Sequence, residues 1–304
     1  MKQRFQGCLS GRNVLLLQGG PGEERAVSLR SGEAVAKALH EAGAKVTPLD
    51  VRDGGFEIPQ ATELVFNVIH GTFGEDGQLQ ALLDDRGIPY TGEGARGSRQ
   101  AFDKILTKVA FETHAVPTPA WERLGPDDLP RMPLPFVLKA PRQGSSVGVH
   151  LIRDSSTVAS ALADCRRFGK EVLVEAFFTG RELTVGILGD EALPVVEIVP
   201  EDGFYDYEHK YTKGASRYFI PAPLDPSVAL SVQKTALAAH RALNLEVYSR
   251  VDVLLAPSGG LAVLEINTIP GMTELSLLPK AAAAAGLAFP ALCEEIAGLS
   301  LLKK

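Results

Sequence analysis

Long apolar runs are missing from this chain of 304 residues. The longest uncharged one, Ala281 to Cys293, contains Pro290 and falls well short of the roughly 20 residues a membrane helix needs, so no membrane partner is expected. Lys2 and Arg4 could open an export signal, but the apolar stretch Val14 to Leu17 is too short and closes in Gln18-Gly19-Gly20. Blocks of like charge are missing too. With 31 Lys and Arg against 37 Asp and Glu, the net charge is −6, and no basic patch marks a nucleic-acid partner. Cysteine is scarce: Cys8, Cys165 and Cys293 lie far apart and match neither a metal spacing nor a disulfide framework, which suits packing roles in a reducing compartment. No internal repeat is visible. What is present is an ordinary folded composition, 45% hydrophobic and 22% charged, enough for two or three domains of roughly 150 residues or fewer.

The apolar pattern divides the chain. Val14 to Gln18 reads as a strand closed by Gly19-Gly20-Pro21-Gly22, followed by a helix through Val27, Val35, Ala36 and Leu39 that stops at Gly43. Strands are expected at Lys45 to Val51, Leu64 to Ile69 and Ile88 to Tyr90, with a helix through Leu79, Leu82 and Leu83. Such alternation implies a parallel sheet. Thr91 to Gly97 is a glycine-rich boundary, after which Ser98 is placed to cap a helix carrying Phe102, Ile105, Leu106, Val109 and Ala110. From Pro133 on, short spacers between strands at 136–139, 148–152, 172–177, 183–188 and 195–199 favour antiparallel pairing, with one helix near 157–168. Residues 201–223 have no period and many Tyr and charged residues, and are expected to form a lid; a helix at 227–243, a hairpin at 248–266 and a last Ala- and Leu-rich helix follow.

Five segments carry chemistry. If Ser258-Gly259 is the turn of the hairpin, Asp252 faces Glu265 and Arg250 faces Asn267, while Val251, Val253, Leu264 and Ile266 take the buried face. Opposed carboxylates call for neutralisation, and these oxygens suit a Mg²⁺-type cation; a solvated polar face is the plainer alternative. Phe136-Val-Leu-Lys139 leads into Gly144-Ser145-Ser146-Val147-Gly148, a loop able to cradle phosphate, or a plain turn with a snorkelling lysine. It is no Walker A loop, since no Lys-Ser/Thr follows the glycine. Gly19-Gly20 with Glu24, and His70-Gly71 with Gly74-Glu75-Asp76-Gly77, both follow strands of the parallel sheet, where ligands bind; Glu24 could equally be a simple helix cap and His70 a structural histidine. Asn267 to Ser276, through Pro270-Gly271-Met272, runs into a new helix, either as a carboxylate grip or as an ordinary turn.

Taken in order over nearly the whole chain, these motifs, with Tyr205-Asp206-Tyr207 and Lys210-Tyr211, resemble the D-alanine:D-alanine ligases of the ATP-grasp superfamily. The resemblance implies an α/β, three-domain architecture: an N-terminal parallel-sheet domain (1–97), a central ATP-grasp subdomain (98–180) and a C-terminal one (181–304), the last two clamping ATP. It implies Lys104, Lys139 and Lys210 on phosphates, the Gly144, Ser145 and Ser146 loop over them, Glu175, Ala176 and Phe177 at adenine, and Glu182 at ribose. Asp252, Glu265 and Asn267 match ligands of two Mg²⁺ or Mn²⁺ ions. Glu24 matches the residue that holds the first D-alanine amine, linked through Ser145 to Tyr211; His70 lies near that substrate. Arg250 and Gly271 match the oxyanion site, and Ser276 with Leu277 the second substrate's carboxylate. Ala140 and Ala176 depart from the pattern, standing where proline and lysine are usual. The implied reaction joins two D-alanines for peptidoglycan synthesis in a cytoplasmic homodimer; another carboxylate–amine or D-alanine:D-lactate ligase, or a non-catalytic nucleotide-binding regulator, are the alternatives.

Overall fold

The computed structural model describes residues 3–53, 55–200, 216–273 and 275–303. Its first sheet is parallel, in the order β2-β1-β3, from β1 (Asn13–Gly19), β2 (Lys45–Val51) and β3 (Leu64–Asn67). The strand expected at Ile88 to Tyr90 is reduced to one parallel bridge, Val65 to Tyr90. Helices α1 (Arg25–Glu41) and α2 (Gln78–Asp85) follow β1 and β3. The loops that begin at Gly20 and His70 therefore leave the carboxyl ends of neighbouring strands.

The next helix begins earlier than expected and is broken. Helix α3 (Ala95–Phe102) contains Ser98, and the cap of α4 (Lys104–Thr113) is instead Asp103, whose carboxylate accepts N–H bonds from Ile105 and Leu106 at 3.0 and 3.3 Å. An extended backbone at Asp103 interrupts the run and re-aims Lys104 as the first residue of the new helix.

Two antiparallel sheets follow. One has the order β4-β7-β5-β6, from β4 (Trp121–Leu124), β5 (Phe136–Lys139), β6 (Val149–Ile152) and β7 (Val172–Ala176), with α5 (Val158–Arg166) packed on it. The other has the order β11-β10-β8-β12-β13, from β8 (Arg181–Leu188), β10 (Val196–Pro200), β11 (Ser216–Phe219), β12 (Tyr248–Leu255) and β13 (Leu261–Asn267), with the short β9 (Glu191–Ala192) beside β8. Helices α6 (Pro226–Ala242), α7 (Leu277–Ala284) and α8 (Phe289–Leu302) complete the chain. Among the described residues no single helix is long and apolar enough to cross a membrane; α7 and α8 pass that test only as a pair bent by 103°, and both are packed into the core through residues such as Leu278, Leu292 and Ile296.

The cores show which parts are joined. Leu16 and Phe66 of the first sheet share one cluster with Leu188, Val196 and Tyr248 of the third and with Leu292 and Ile296 of α8. Ala101 of α3 and Phe111 of α4 pack with Val185, Val251 and Val263, on the third sheet rather than the second. The second sheet keeps a separate core of Phe136, Leu138, Leu162, Val172 and Val174, with Cys165 inside it. Cys293 is buried as well and Cys8 half-buried, and all three thiols are free, as packing residues would be.

Glu93 fastens the end of the N-terminal region to the third sheet. Its buried carboxylate accepts backbone N–H groups of Glu246, Val247 and Tyr248 at 2.8, 2.9 and 3.0 Å, using both oxygens. Glutamine in its place keeps one acceptor and turns an amine toward a buried N–H. Glu93→Gln is expected to lower unfolding stability by about 1–3 kcal/mol, measured by urea denaturation, and a loss within error would show that the carboxylate does not carry the joint.

Candidate active site

A cavity of about 280 Å³ opens between the second and third sheets. Lys139 of β5, Glu175 and Ala176 of β7, Glu182 of β8, Asp252 of β12 and Glu265 of β13 all border it, as do Lys104, Ser146 and Phe177. The antiparallel sheets thus bring together, from either side, residues expected at a nucleotide and, in Asp252 and Glu265, residues expected at its metal ions.

Glu175 is buried between two ammonium groups, those of Lys139 and Lys108. Burial pushes its carboxyl up, but the two lysines outweigh that and hold it below the usual carboxylate value. Lys139 therefore faces a carboxylate in this structure, where a phosphate was expected to be its partner, and Lys108 is a site residue the sequence analysis passed over. The available signal was its position: Lys108 is three residues beyond Ile105 and three before Phe111, on the buried stripe of α4.

The hairpin has the expected pairs Arg250 to Asn267 and Asp252 to Glu265, but the register shifts by one beyond Asp252, where Val253 pairs with Val263. The turn is consequently centred on Ser258, with the Ala256 N–H donating to the Gly260 carbonyl at 2.8 Å. The extra residue is Leu264. A bulge turns it out of the core position expected for it and onto the cavity wall, while Val263 takes the buried place. The facing carboxylates are neutralised by the protein's own cations. Arg250 grips Asp252 with two bonds of 3.0 and 2.8 Å, and Lys104 lies 3.3 Å from Glu265. Thr184 adds a hydroxyl donor to Asp252 at 2.6 Å. Two cavity-facing carboxylates and the Asn267 amide form a hard-oxygen donor set that fits Mg²⁺ or Mn²⁺ bound jointly with substrate phosphates; among the described residues no cluster of three or more His, Cys, Asp or Glu offers a site complete in itself.

Lys104 also donates to the Gln143 carbonyl at 2.7 Å, which ties the hairpin to the Gly-Ser-Ser loop. That loop is closed by the Ala140 N–H on the Gly148 carbonyl at 2.9 Å, and Ser145 and Ser146 adopt left-handed backbone angles, φ of 50° and 62°. Side-chain residues at positive φ cost free energy and are held there by the surrounding contacts. One such contact is the Ser145 hydroxyl, which donates to Glu24 across the junction with the N-terminal region. Glu24 is thus more than a helix cap: it sits at the cap position of α1 without a side-chain capping bond, its carboxylate turned to the loop. A Cβ on Gly144 would lie 2.7 Å from the Glu24 carboxylate, so the loop approaches this closely only as glycine.

Glu24, His70, Glu75, Ser145, Arg250 and Gly271 border a second, smaller cavity of about 50 Å³. His70 is buried and both ring nitrogens are engaged, Nδ1 with the Ile269 carbonyl at 2.9 Å and Nε2 with the Ser31 hydroxyl at 3.1 Å. A carbonyl can only accept, so Nδ1 carries the proton and Nε2 accepts from Ser31, whose oxygen in turn accepts the Met272 N–H at 3.2 Å. His70 therefore braces the 269–272 turn. Burial, and the Glu24 carboxylate beside it, push the Glu75 carboxyl well above the usual range. Ser276 accepts the Thr273 N–H at 2.9 Å ahead of α7, whose first residue is the buried Leu277. Tyr205, Tyr207, Lys210 and Tyr211 lie outside the described residues.

Family descriptions match the chain twice: "D-ala D-ala ligase C-terminus" over residues 127–297 and "D-ala D-ala ligase N-terminus" over residues 52–93. A D-alanine–D-alanine ligase of Methylacidiphilum infernorum is 50% identical over 294 residues, 96% of each chain. Among solved structures, the D-alanine–D-alanine ligase of Bacillus anthracis superimposes with a TM-score of 0.86 at 30% identity, covering 96% of this chain and 98% of that one. The same enzyme complexed with ATP gives a TM-score of 0.84 at 30% identity, covering 96% and 97%.

Burial lowers the His70 pKa from its ordinary 6.5. The ring is therefore expected to remain neutral, in the Nδ1-protonated form, at pH 6.5, where an exposed histidine is half protonated; ¹⁵N chemical shifts of the ring read this directly, and a half-protonated ring at that pH would contradict it.

Proposed function

Because the chain belongs to the D-alanine–D-alanine ligase family, we propose that its paired cavities join two D-alanine molecules at the expense of ATP, making the dipeptide for peptidoglycan synthesis. The observation that carries this reading is the junction of the cavities: Lys104 and Lys139 with the carboxylates of Asp252 and Glu265 border the larger, Glu24 and Arg250 border the smaller, and the 143–146 loop borders both.

In this reading ATP lies between the second and third sheets. Glu175, Ala176 and Phe177 meet adenine, Glu182 meets ribose, and Lys104, Lys139 and Lys210 with the loop at Gly144 and Ser146 meet the phosphates. Asp252, Glu265 and Asn267 would hold two divalent cations, which when bound neutralise phosphate charge. Glu24 takes the ammonium of the first D-alanine and leaves its carboxylate toward the phosphates, with Ser145 linking Glu24 to Tyr211. That carboxylate oxygen attacks the γ-phosphorus, the bond to ADP breaks, and an acyl phosphate forms. The deprotonated amine of the second D-alanine, its carboxylate held at Ser276 and Leu277, then attacks the carbonyl carbon. Arg250 and the Gly271 N–H stabilise the oxyanion, the carbon–oxygen bond to phosphate breaks, and inorganic phosphate leaves. His70 keeps the 269–272 turn in place for this step. The working unit is a cytoplasmic homodimer with domain boundaries near 97 and 180, a reading supported by the family resemblance.

The direct test supplies Mg²⁺-ATP to purified protein with no amino acid, D-alanine, L-alanine, or D-alanine plus D-lactate, and identifies products by mass. ADP release that requires D-alanine and yields the dipeptide is expected. Protein that binds ATP but releases no ADP with D-alanine would move the assignment to another ligase substrate. Glu24→Gln is expected to raise KM for D-alanine by at least roughly tenfold, the size of a charge-assisted hydrogen bond lost, with KM for ATP unchanged; a rise in KM for ATP instead would place Glu24 elsewhere.

A further inference from the structure

Lys108 takes no part in the chemistry above, yet it is among the largest side chains buried to below 2% exposure. Its ammonium donates to Glu175 and to the Thr118 hydroxyl, and Thr118 spends its own proton on the Val263 carbonyl at 2.7 Å. The hydroxyl is thereby left as an acceptor for Lys108. Lys108 is thus pinned between α4, β7 and β13. The two lysines on Glu175 differ in their freedom: Lys139 borders the nucleotide cavity and Lys108 does not.

Two ammonium groups around one carboxylate leave an excess positive charge. A triphosphate entering the cavity can draw Lys139 away, because a lysine on the wall has somewhere to go. Glu175 would then be a buried carboxylate stripped of a partner, which is strongly unfavourable unless a second cation stays. Lys108 stays. The Glu175 oxygen that Lys139 vacates then faces the cavity as an acceptor, ionised and fixed in direction, beside Ala176 and Phe177. Burial lowers Lys108 to about 8, against the pull of Glu175, which leaves it cationic at neutral pH.

We infer that Lys108 is a positioning residue for choice of the nucleotide base: it holds Glu175 as an acceptor for the 6-amino group of adenine while Lys139 is released to phosphate. This rests on the nucleotide reading of the larger cavity and not on which amino acid is ligated. A 6-oxo purine such as inosine presents an acceptor at that position and would be rejected by the same carboxylate.

The test is direct binding of ATP and ITP, by titration calorimetry with no amino acid present, to the full chain and to Lys108→Met, with KM and kcat for both nucleotides alongside. In Lys108→Met, Glu175 keeps Lys139 as its partner. ATP affinity is expected to fall on the order of tenfold or more, ITP affinity less, and the preference for ATP to shrink toward parity, while kcat at saturating ATP changes little. If the single variant does not fold, Thr118→Val, which removes the hydroxyl that pins Lys108 and leaves Glu175 intact, is expected to shift the preference in the same direction. An unchanged ATP-to-ITP ratio in whichever variant folds would overturn the inference and leave Lys108 as a structural ion pair. Because binding is read without amino acid, failure of D-alanine-dependent turnover in the wild-type chain would count against the ligase reading alone.

Discussion

A carboxylate drawn out of water is costly unless a cation or N–H donors face it, and three carboxylate–cation sets, one fully buried and two partly buried, hold the centre of this molecule. Glu175 lies between Lys108 and Lys139, Glu265 beside Lys104, and Asp252 in the two-point grip of Arg250. The first two sets join residues from different elements, Arg250 and Asp252 share β12, and all border or adjoin the cavity between two sheets. In the proposed reaction phosphate and a developing oxyanion would take these cations over from protein carboxylates, an exchange that costs little rearrangement because partner and replacement are both anions.

The packing suits that exchange. The first and third sheets share a core through α8, so Glu24, His70, Arg250 and the 269–272 turn belong to one joined body. The second sheet has its own core and carries Lys139, Glu175 and the Gly-Ser-Ser loop. Its links to the remainder near the site include polar ones: Ser145 to Glu24, Lys104 to the Gln143 and Pro141 carbonyls, Arg142 to Asp103, and Lys108 to Glu175. A sheet joined this way can adjust to a nucleotide without disturbing the larger core. Of the two serines at positive φ at the tip of the loop, Ser145 turns its hydroxyl to Glu24 on the neighbouring body and Ser146 borders the larger cavity.

Much of this was legible beforehand, and the failures have physical causes. Period-two and period-3.6 patterns gave the main strands and helices, and the facing of Asp252 with Glu265 followed from counting out from a turn. The count failed beyond that pair because a bulge adds a residue without changing local hydropathy, so Leu264 looked like core. β4 was missed because Trp-Glu-Arg-Leu at a sheet edge has neither length nor alternation. Ser98 and Asp103 are both good caps, and only the extended backbone at Asp103 chooses between them. Lys108 was passed over despite its place on the apolar stripe of α4, because a lysine in a helix reads as a solvent-facing residue until its carboxylate, 67 positions away, is brought beside it. The same distance effect hid Lys104 as a partner of Glu265, whereas Arg250 lies only two residues before Asp252 on the same face of the strand and was read there without being paired to it.

The central claim is that this arrangement activates a carboxylate by phosphorylating it. D-alanine labelled with ¹⁸O in its carboxylate, turned over with Mg²⁺-ATP, tests that claim by where the label ends. Attack of the carboxylate on the γ-phosphorus, followed by displacement by an amine, predicts that one carboxylate oxygen per dipeptide appears in inorganic phosphate. Labelled dipeptide formed with phosphate free of label, the expelled oxygen appearing in water or AMP instead, would contradict the account.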